Sequence, residues 1–313
     1  MQNAEIIRGL GEIVASDRIL VDEPMSKHTT FRVGGPADIY ISICDKKELV
    51  DIISYLKSVQ TDYYIIGNGS NLLVSDEGYR GVILELGSGF DNLSITSESG
   101  KNVRIKATAG TLLSKLAAFA YKNELGGLEF AAGIPGSVGG AMVMNAGAYG
   151  GEMKQVVTSV SVLDPQTGDI MMLSNDEMDF SYRHSVVRDR GYIVIDAEFE
   201  LVRGEASAIK EVMDDLAAKR KSKQPLEYPS AGSTFKRPEG FFAGKLIEDS
   251  GLKGYSVGGA QVSEKHSGFV INKNQAKAID VYRLIREVQE QVYADTGVRL
   301  ETEVIMLGDF LSQ

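Results

Sequence analysis

The chain is predicted to adopt an α+β fold, and three observations carry that prediction. Its apolar residues switch between a period of two and a period near 3.6. Strand-like and helix-like stretches follow one another without strict alternation, and no internal repeat organises them. At 313 residues the chain is also too long for one comfortable core, so two or three domains are expected.

The elements can be read in order. Ile39-Tyr40-Ile41-Ser42-Ile43 is strand-like, which predicts a buried structural thiol at the adjoining Cys44. Leu49, Val50, Ile52, Ile53 and Leu56 share a helical face, and Tyr63-Tyr64-Ile65-Ile66 reads as a short buried strand. After a glycine-rich turn, Val82-Ile83-Leu84 is another strand, and Val103, Ile105 and Ala107 alternate as a third. Leu112, Leu113, Leu116, Ala117 and Ala120 predict a helix that starts at Thr111 or Gly110. Ile193, Ile195, Ala197, Phe199 and Leu201 alternate with Asp196, Glu198 and Glu200 in a half-buried strand. Arg203-Gly204-Glu205 breaks it; Ile209, Val212, Met213 and Leu216 then form an amphipathic helix ending in the basic run from Lys219 to Lys223. The Pro225 to Pro229 segment cannot continue that helix. Val281, Leu284, Ile285, Val288 and Val292 predict a last helix, and Leu300 to Met306 a last strand.

Composition excludes several classes of function. Hydrophobic residues at 43% and charged residues at 24% describe an ordinary globular protein. A formal charge of −10 argues against nucleic-acid binding, because no sustained basic face is available for phosphates. A single cysteine excludes an intramolecular disulfide and a cysteine-only metal site, and no histidines or cysteines have zinc-ligand spacing. The first residues lack the basic flank and apolar stretch of a signal peptide, and no apolar run reaches membrane-spanning length. A cytoplasmic protein without membrane insertion is expected.

Two glycine-rich segments need a reason. Gly67-Asn68-Gly69-Ser70-Asn71 directly follows a predicted strand, and both a tight turn and a loop whose amides converge on an anion fit it. Gly133-Ile134-Pro135-Gly136-Ser137-Val138-Gly139-Gly140 runs on to Asn145-Ala146-Gly147-Ala148-Tyr149-Gly150-Gly151. So many glycines waste conformational entropy unless the backbone must approach something closely. Neither segment is a dinucleotide fingerprint, since Leu72 stands where the third glycine belongs, and no lysine follows as in a P-loop. Two separate loops suit a long diphosphate ligand, FAD better than ATP. Gly136-Ser137-Val138-Gly139 only imitates a nucleophile elbow, with Pro135 at the first glycine position.

Taken in order, several segments resemble the UDP-N-acetylenolpyruvoylglucosamine reductase (MurB) family of flavoenzymes. They are Tyr64 to Leu72, Gly133 to Gly151, Tyr182-Arg183, Ala231-Gly232-Ser233-Thr234-Phe235-Lys236, Gly258-Gly259-Ala260, and Leu300-Glu301-Thr302-Glu303-Val304. The resemblance implies a two-part FAD-binding region of the vanillyl-alcohol-oxidase type, 1–86 and 87–204, followed by an α+β substrate domain, 205–313. It places FAD against Gly67, Asn68, Gly69, Ser70 and Asn71, and against Gly133, Ile134, Pro135, Gly136, Ser137, Gly139, Gly140, Asn145, Gly147 and Ala148. Some relatives of that fold tether FAD through a histidine. No histidine lies between His28 and His184, so a non-covalent flavin is expected. A strand and a helix use up the span from His184 to Lys223, leaving no room for the inserted tyrosine unit of one family type, so the chain resembles the second type.

The implied reaction uses NADPH and FAD to reduce the enolpyruvyl ether of a UDP-sugar, UDP-N-acetylglucosamine enolpyruvate, in peptidoglycan precursor synthesis. Arg183 is the implied electrophile, Ser233 the proton donor and Glu303 a carboxyl near the developing charge. Patterning alone does not separate Glu303 from Glu301, two positions earlier on the same predicted face; the resemblance selects Glu303. Tyr182, Lys223, Lys236, Arg237 and His266 are implied substrate contacts, whereas Lys245 reads little differently from a solvated surface charge. Two other classes fit the residues without the resemblance: another FAD oxidase of the same fold, and a non-enzymatic nucleotide-sugar binding protein.

Overall fold

The structure, a computed structural model, describes residues 2–310. The chain forms two compact units built from interleaved stretches. The first runs to residue 20 and includes 39–68 and 82–220; the second holds 21–38, 69–81 and the chain from 221 onward.

In the first unit, helices α1 (Gln2–Leu10) and α2 (Lys46–Ser58) pack together. Leu49, Ile52, Ile53 and Leu56 of α2 are buried in a core with Ile39, Ile41, Val82 and Leu84. Those last four belong to a four-stranded sheet in the order Ile19–Pro24, Pro36–Ser42, Tyr79–Glu85, Tyr63–Ile66. The expected burial of Cys44 is not observed: the thiol is exposed. The strand ends at Ser42, and Asp45 caps α2 by accepting the Glu48 N–H at 2.8 Å. Cys44 therefore falls in the turn between them, where its own N–H donates to Glu48 at 2.7 Å.

The same unit contains a six-stranded antiparallel sheet. Its main path is Ile170–Ser174, Val157–Leu163, Ile193–Arg203, Asn102–Thr108, Leu93–Ser99, with Leu125–Gly126 pairing the far end of Ile193–Arg203. The alternation read in 193–201 holds, because Ile193, Ile195, Ala197, Phe199 and Leu201 are buried. Asp196, Glu198 and Glu200 take the open face, where Lys106 and Arg104 pair with them across the strand. Helices α3 (Leu113–Lys122) and α4 (Val138–Met144) add to the core, followed by the short α5 (Val186–Arg190) and the long α6 (Ala206–Lys223). Neither Thr111 nor Gly110 caps α3; Leu112 does, with no side-chain bond. The Thr111 hydroxyl instead donates to Asp91 at 3.0 Å, and the first α3 amide, that of Leu113, donates to the Gly136 carbonyl at 2.9 Å.

The second unit packs α7 (Ala243–Asp249) and α8 (Ala278–Thr296) with a three-stranded sheet, Ser256–Val257, Ala260–Val262, Val270–Asn272. Leu284, Ile285, Val288 and Val292 of α8 share a core with Phe31, Val33 and Leu73, so stretches early in the sequence fold with the last hundred residues. The expected strand from Leu300 to Met306 is shorter. Only Ile305–Leu307 forms a ladder, parallel to Leu72–Val74, because the segment changes partner on the way. Lys236 N–H donates to the Glu301 carbonyl and Glu303 N–H to the Thr234 carbonyl, whereas Ile305 N–H donates to Asn71.

Asp76 ties these parts to α8: its two carboxylate oxygens accept the N–H groups of Ala278 and Ile279, each at 2.9 Å. These amides have no intrahelical acceptor, so the carboxylate does the work of an N-cap from about two hundred residues away. Asp76→Ala should cost about 2 kcal/mol and speed hydrogen exchange at Ala278 and Ile279 by roughly tenfold or more. Unchanged protection at both amides would contradict this.

Candidate active site

The two glycine segments meet inside the first unit. Asn68 Nδ2 donates to the Pro135 carbonyl at 2.7 Å, and a Cβ on Gly67 would stand 2.1 Å from Ser137 Oγ. The second segment is stitched to residues 109–113: Leu113 N–H donates to Gly136, Val138 N–H to Thr111, and Gly139 N–H to Ala109. Ser137, buried, caps α4 through Gly140. Gly133, Pro135 and Gly140 are exposed, while Ile134, Gly136 and Gly139 are half-buried. Farther on, Gly147-Ala148 pairs with Gly151-Glu152 around a two-residue turn, Tyr149-Gly150, in which both residues have positive φ.

Arg183 sits at the tip of a hairpin. Ser181 and His184 exchange both backbone hydrogen bonds at 3.2 Å, leaving Tyr182 and Arg183 as the two-residue loop. Arg183 has φ +55°, a left-handed conformation that glycine adopts freely and arginine adopts at a cost of about 1–2 kcal/mol. Such strain at a charged residue is retained only where surrounding contacts impose it. The next residue, His184, is anchored through its ring to Asp179 and Asp189, and its pKa is raised by the hydrogen bond to Asp189 at 2.9 Å.

Sequence reasoning missed Arg220. Its guanidinium is half-enclosed, and burial pushes its pKa below the ordinary value while a hydrogen bond with Tyr149 opposes that. A Cβ on Gly133 would lie 2.6 Å from Arg220 Nη1, so this charge stands against both ends of the second glycine segment. The signal was present: continuing the spacing of Ile209, Met213 and Leu216 by four residues puts Arg220 on the inward face of α6.

In the second unit, Ser233 and Glu303 are linked through Thr234. This residue is fully buried; its N–H donates to Gly268 and its hydroxyl accepts the Val270 N–H. Ser233, half-buried, precedes it, and the Thr234 carbonyl accepts from Glu303. Glu303 is 9% exposed, while Glu301 is solvent-facing and paired with Lys236 at 3.0 Å, so the two carboxylates that patterning left equivalent differ in environment. The Glu303 carbonyl is held by Asn71 Nδ2 at 3.0 Å. Gly69, buried at φ +58°, has no room for a side chain, since a Cβ would meet the His28 carbonyl at 1.9 Å; Ser70 beside it is half-buried. Arg237 lies over the Phe242 ring at 4.0 Å. His266 packs edge-on against Phe269, and burial lowers its pKa. Its Nδ1 accepts the Gly268 N–H at 3.1 Å, which leaves the proton of the neutral ring on Nε2. Lys223 is exposed at the end of α6, and Lys245 is a surface residue paired with Asp249.

The chain is similar to known proteins along nearly its whole length. An FAD binding domain profile matches residues 37–174, and the profile of the UDP-N-acetylenolpyruvoylglucosamine reductase C-terminal domain matches 224–307. The UDP-N-acetylenolpyruvoylglucosamine reductase of Agathobacter rectalis is 51% identical, over 98% of this chain and 100% of that protein. The chain belongs to the UDP-N-acetylenolpyruvoylglucosamine reductase family. A crystal structure of the family's enzyme from Thermus caldophilus superposes with a TM-score of 0.79 at 35% identity, covering 93% of this chain and 99% of that one. The 4-ethylphenol oxidase of Gulosibacter chungangensis matches with a TM-score of 0.50 at 13% identity, covering 96% and 65%, which is a likeness of fold alone. Among the described residues, no helix is long and apolar enough to cross a membrane.

Family membership makes the chain an FAD-dependent oxidoreductase, and its residues fit that cofactor. The two glycine segments lie side by side with no side chain of their own between them at Gly67. Gly67→Ala should push the segments apart and lower FAD affinity by about tenfold or more. Ser137→Gly in the same background should restore most of the loss by removing the hydroxyl. Wild-type FAD affinity in Gly67→Ala would show that the close contact is dispensable.

Proposed function

We propose that the chain reduces UDP-N-acetylglucosamine enolpyruvate to UDP-N-acetylmuramate in the cytoplasm, using NADPH and non-covalent FAD. In this reading, segments 1–86 and 87–204 supply the two parts of the flavin region and 205–313 the substrate region. The backbones of Gly67 to Asn71, of Gly133 to Ser137, of Gly139 and Gly140, and of Asn145, Gly147 and Ala148 hold the cofactor, with Arg220 as a nearby positive charge. When bound, FAD reduced by NADPH supplies the hydride that adds to the enolpyruvyl methylene carbon.

That addition leaves negative charge on the neighbouring carbon and its carboxylate. Arg183 grips the carboxylate with two parallel hydrogen bonds and stays charged throughout. Glu303, enclosed by protein, shares a hydrogen bond with the developing enolate. Ser233 gives its hydroxyl proton to the carbon, completing the saturated lactyl ether. Lys223, Lys236 and Arg237 attract the diphosphate; Lys236 does so by leaving Glu301, a weak surface pairing. His266, neutral with its proton on Nε2, donates a hydrogen bond, and Tyr182 orients the substrate.

The observation that carries this reading is the bracing of Ser233. Thr234 is bonded on one side to Gly268 and Val270 and on the other to the Glu303 N–H, so the backbone that carries Ser233 is held beside the backbone of a buried glutamate. Ser233→Ala should leave NADPH reduction of the flavin near its normal rate and slow reoxidation by the UDP-sugar roughly 10²-fold or more. Anaerobic stopped-flow absorbance reads the two halves separately. Reoxidation at the wild-type rate would remove Ser233 as proton donor, and equal slowing of both halves would point to a disturbed shared surface.

A further inference from the structure

We propose that Asn145 is a positioning residue for Arg183, acting through the Ser181–His184 hairpin rather than through the cofactor. The inference rests on the reading of Arg183 as the substrate's carboxylate partner.

Asn145 ends α4 in a left-handed conformation, φ 42° and ψ 57°, which asparagine tolerates better than most residues. Helix capping explains that backbone but not the side chain. The amide is buried and every part of it is engaged with protein: Nδ2 donates to Glu152 Oε2 at 3.0 Å and to the Ser181 carbonyl at 3.3 Å, while Oδ1 accepts the Lys154 N–H at 2.9 Å. These three bonds determine which way the amide points, since a flip would face nitrogen to N–H and oxygen to two oxygens. Although Asn145 lies within the glycine-rich segment, its amide is thus committed to the opening residue of the Arg183 hairpin.

Neighbouring contacts act in the same sense. Lys154 Nζ donates to the Phe180 carbonyl at 3.3 Å, and the fully buried Ser185 donates its hydroxyl to the Val143 carbonyl at 3.0 Å. The hairpin is therefore fastened just before and just after its tip to α4, to Asn145 at its end and to Lys154 in the turn at 153–155. Asn145 is the member that bonds to the hairpin's own closing residue. Its loss leaves the Ser181 carbonyl with only the His184 N–H inside the hairpin, and removes the tie from that carbonyl to the end of α4, so the loop in which Arg183 is held at positive φ is less firmly placed.

Asn145→Gly separates the two roles, because glycine keeps the left-handed cap and removes only the amide. We expect Asn145→Gly to bind FAD within about twofold of wild type, by fluorescence titration of the apoprotein, and to be reduced by NADPH at a near-normal rate. Reoxidation by the UDP-sugar should slow by about tenfold or more. In an Arg183→Ala background, Asn145→Gly should add little further loss, since the group it positions is gone. An additive loss, or weakened FAD binding with both halves slowed, would overturn the inference while leaving Arg183's role intact. Arg183→Ala reoxidising at the wild-type rate would instead overturn the reading of Arg183, and the inference with it.

Discussion

The close approach of one backbone to another at residues 133–140 is the constraint on which the flavin-binding unit depends. Gly136 accepts the first amide of α3, Gly139 donates to Ala109, and Gly67 comes within side-chain distance of Ser137. The first two contacts are made by main-chain polar groups, and the third leaves room only for a bare backbone beside the Ser137 hydroxyl. The segment thereby satisfies a helix terminus, starts α4 and lies against the loop after Tyr63–Ile66. Glycine costs conformational entropy at every such position, and the return proposed here is a surface open to the cofactor's backbone-binding contacts.

From this surface the chain passes through α4 to Asn145, and the polar contacts of Asn145 carry the order on to the Arg183 hairpin. In the second unit, Thr234 plays the comparable part: a small buried polar residue with both backbone groups and its hydroxyl bonded, next to Ser233, the proposed proton donor. In both places the residue proposed to do chemistry is held by an ordinary neighbour whose hydrogen bonds are all made within the protein. A strained arginine and a half-buried serine are kept in place by an asparagine and a threonine.

Much of the fold was legible in the sequence because apolar periodicity is a direct consequence of facing a core. The burial of 193–201 and of α8 follows the alternation and the helical stripe residue by residue. What was not legible depended on partners distant in sequence. Cys44 looked like the end of a strand, but the Asp45 cap ended that strand first. Leu300 to Met306 had the pattern of one strand, yet its amides are shared between Thr234 and Asn71. The cap of α8 by Asp76 leaves no local trace at all. For the candidate site, glycine clustering pointed to both segments and the family resemblance selected Glu303 over Glu301. Arg220 was hidden in a basic run that read as a helix end, although its helical phase marked it as inward-facing.

In the proposed reaction one flavin serves two substrates, accepting reducing equivalents from NADPH and passing them to an enolpyruvyl UDP-sugar. The most direct measurement is the visible flavin spectrum of the purified protein under anaerobic conditions. Stoichiometric NADPH should bleach the absorbance, and UDP-N-acetylglucosamine enolpyruvate should then restore it mole for mole without oxygen. A flavin that NADPH bleaches but only oxygen recolours would contradict the account and assign the protein to the oxidases of this fold. A preparation that carries no flavin and takes none up would contradict it altogether.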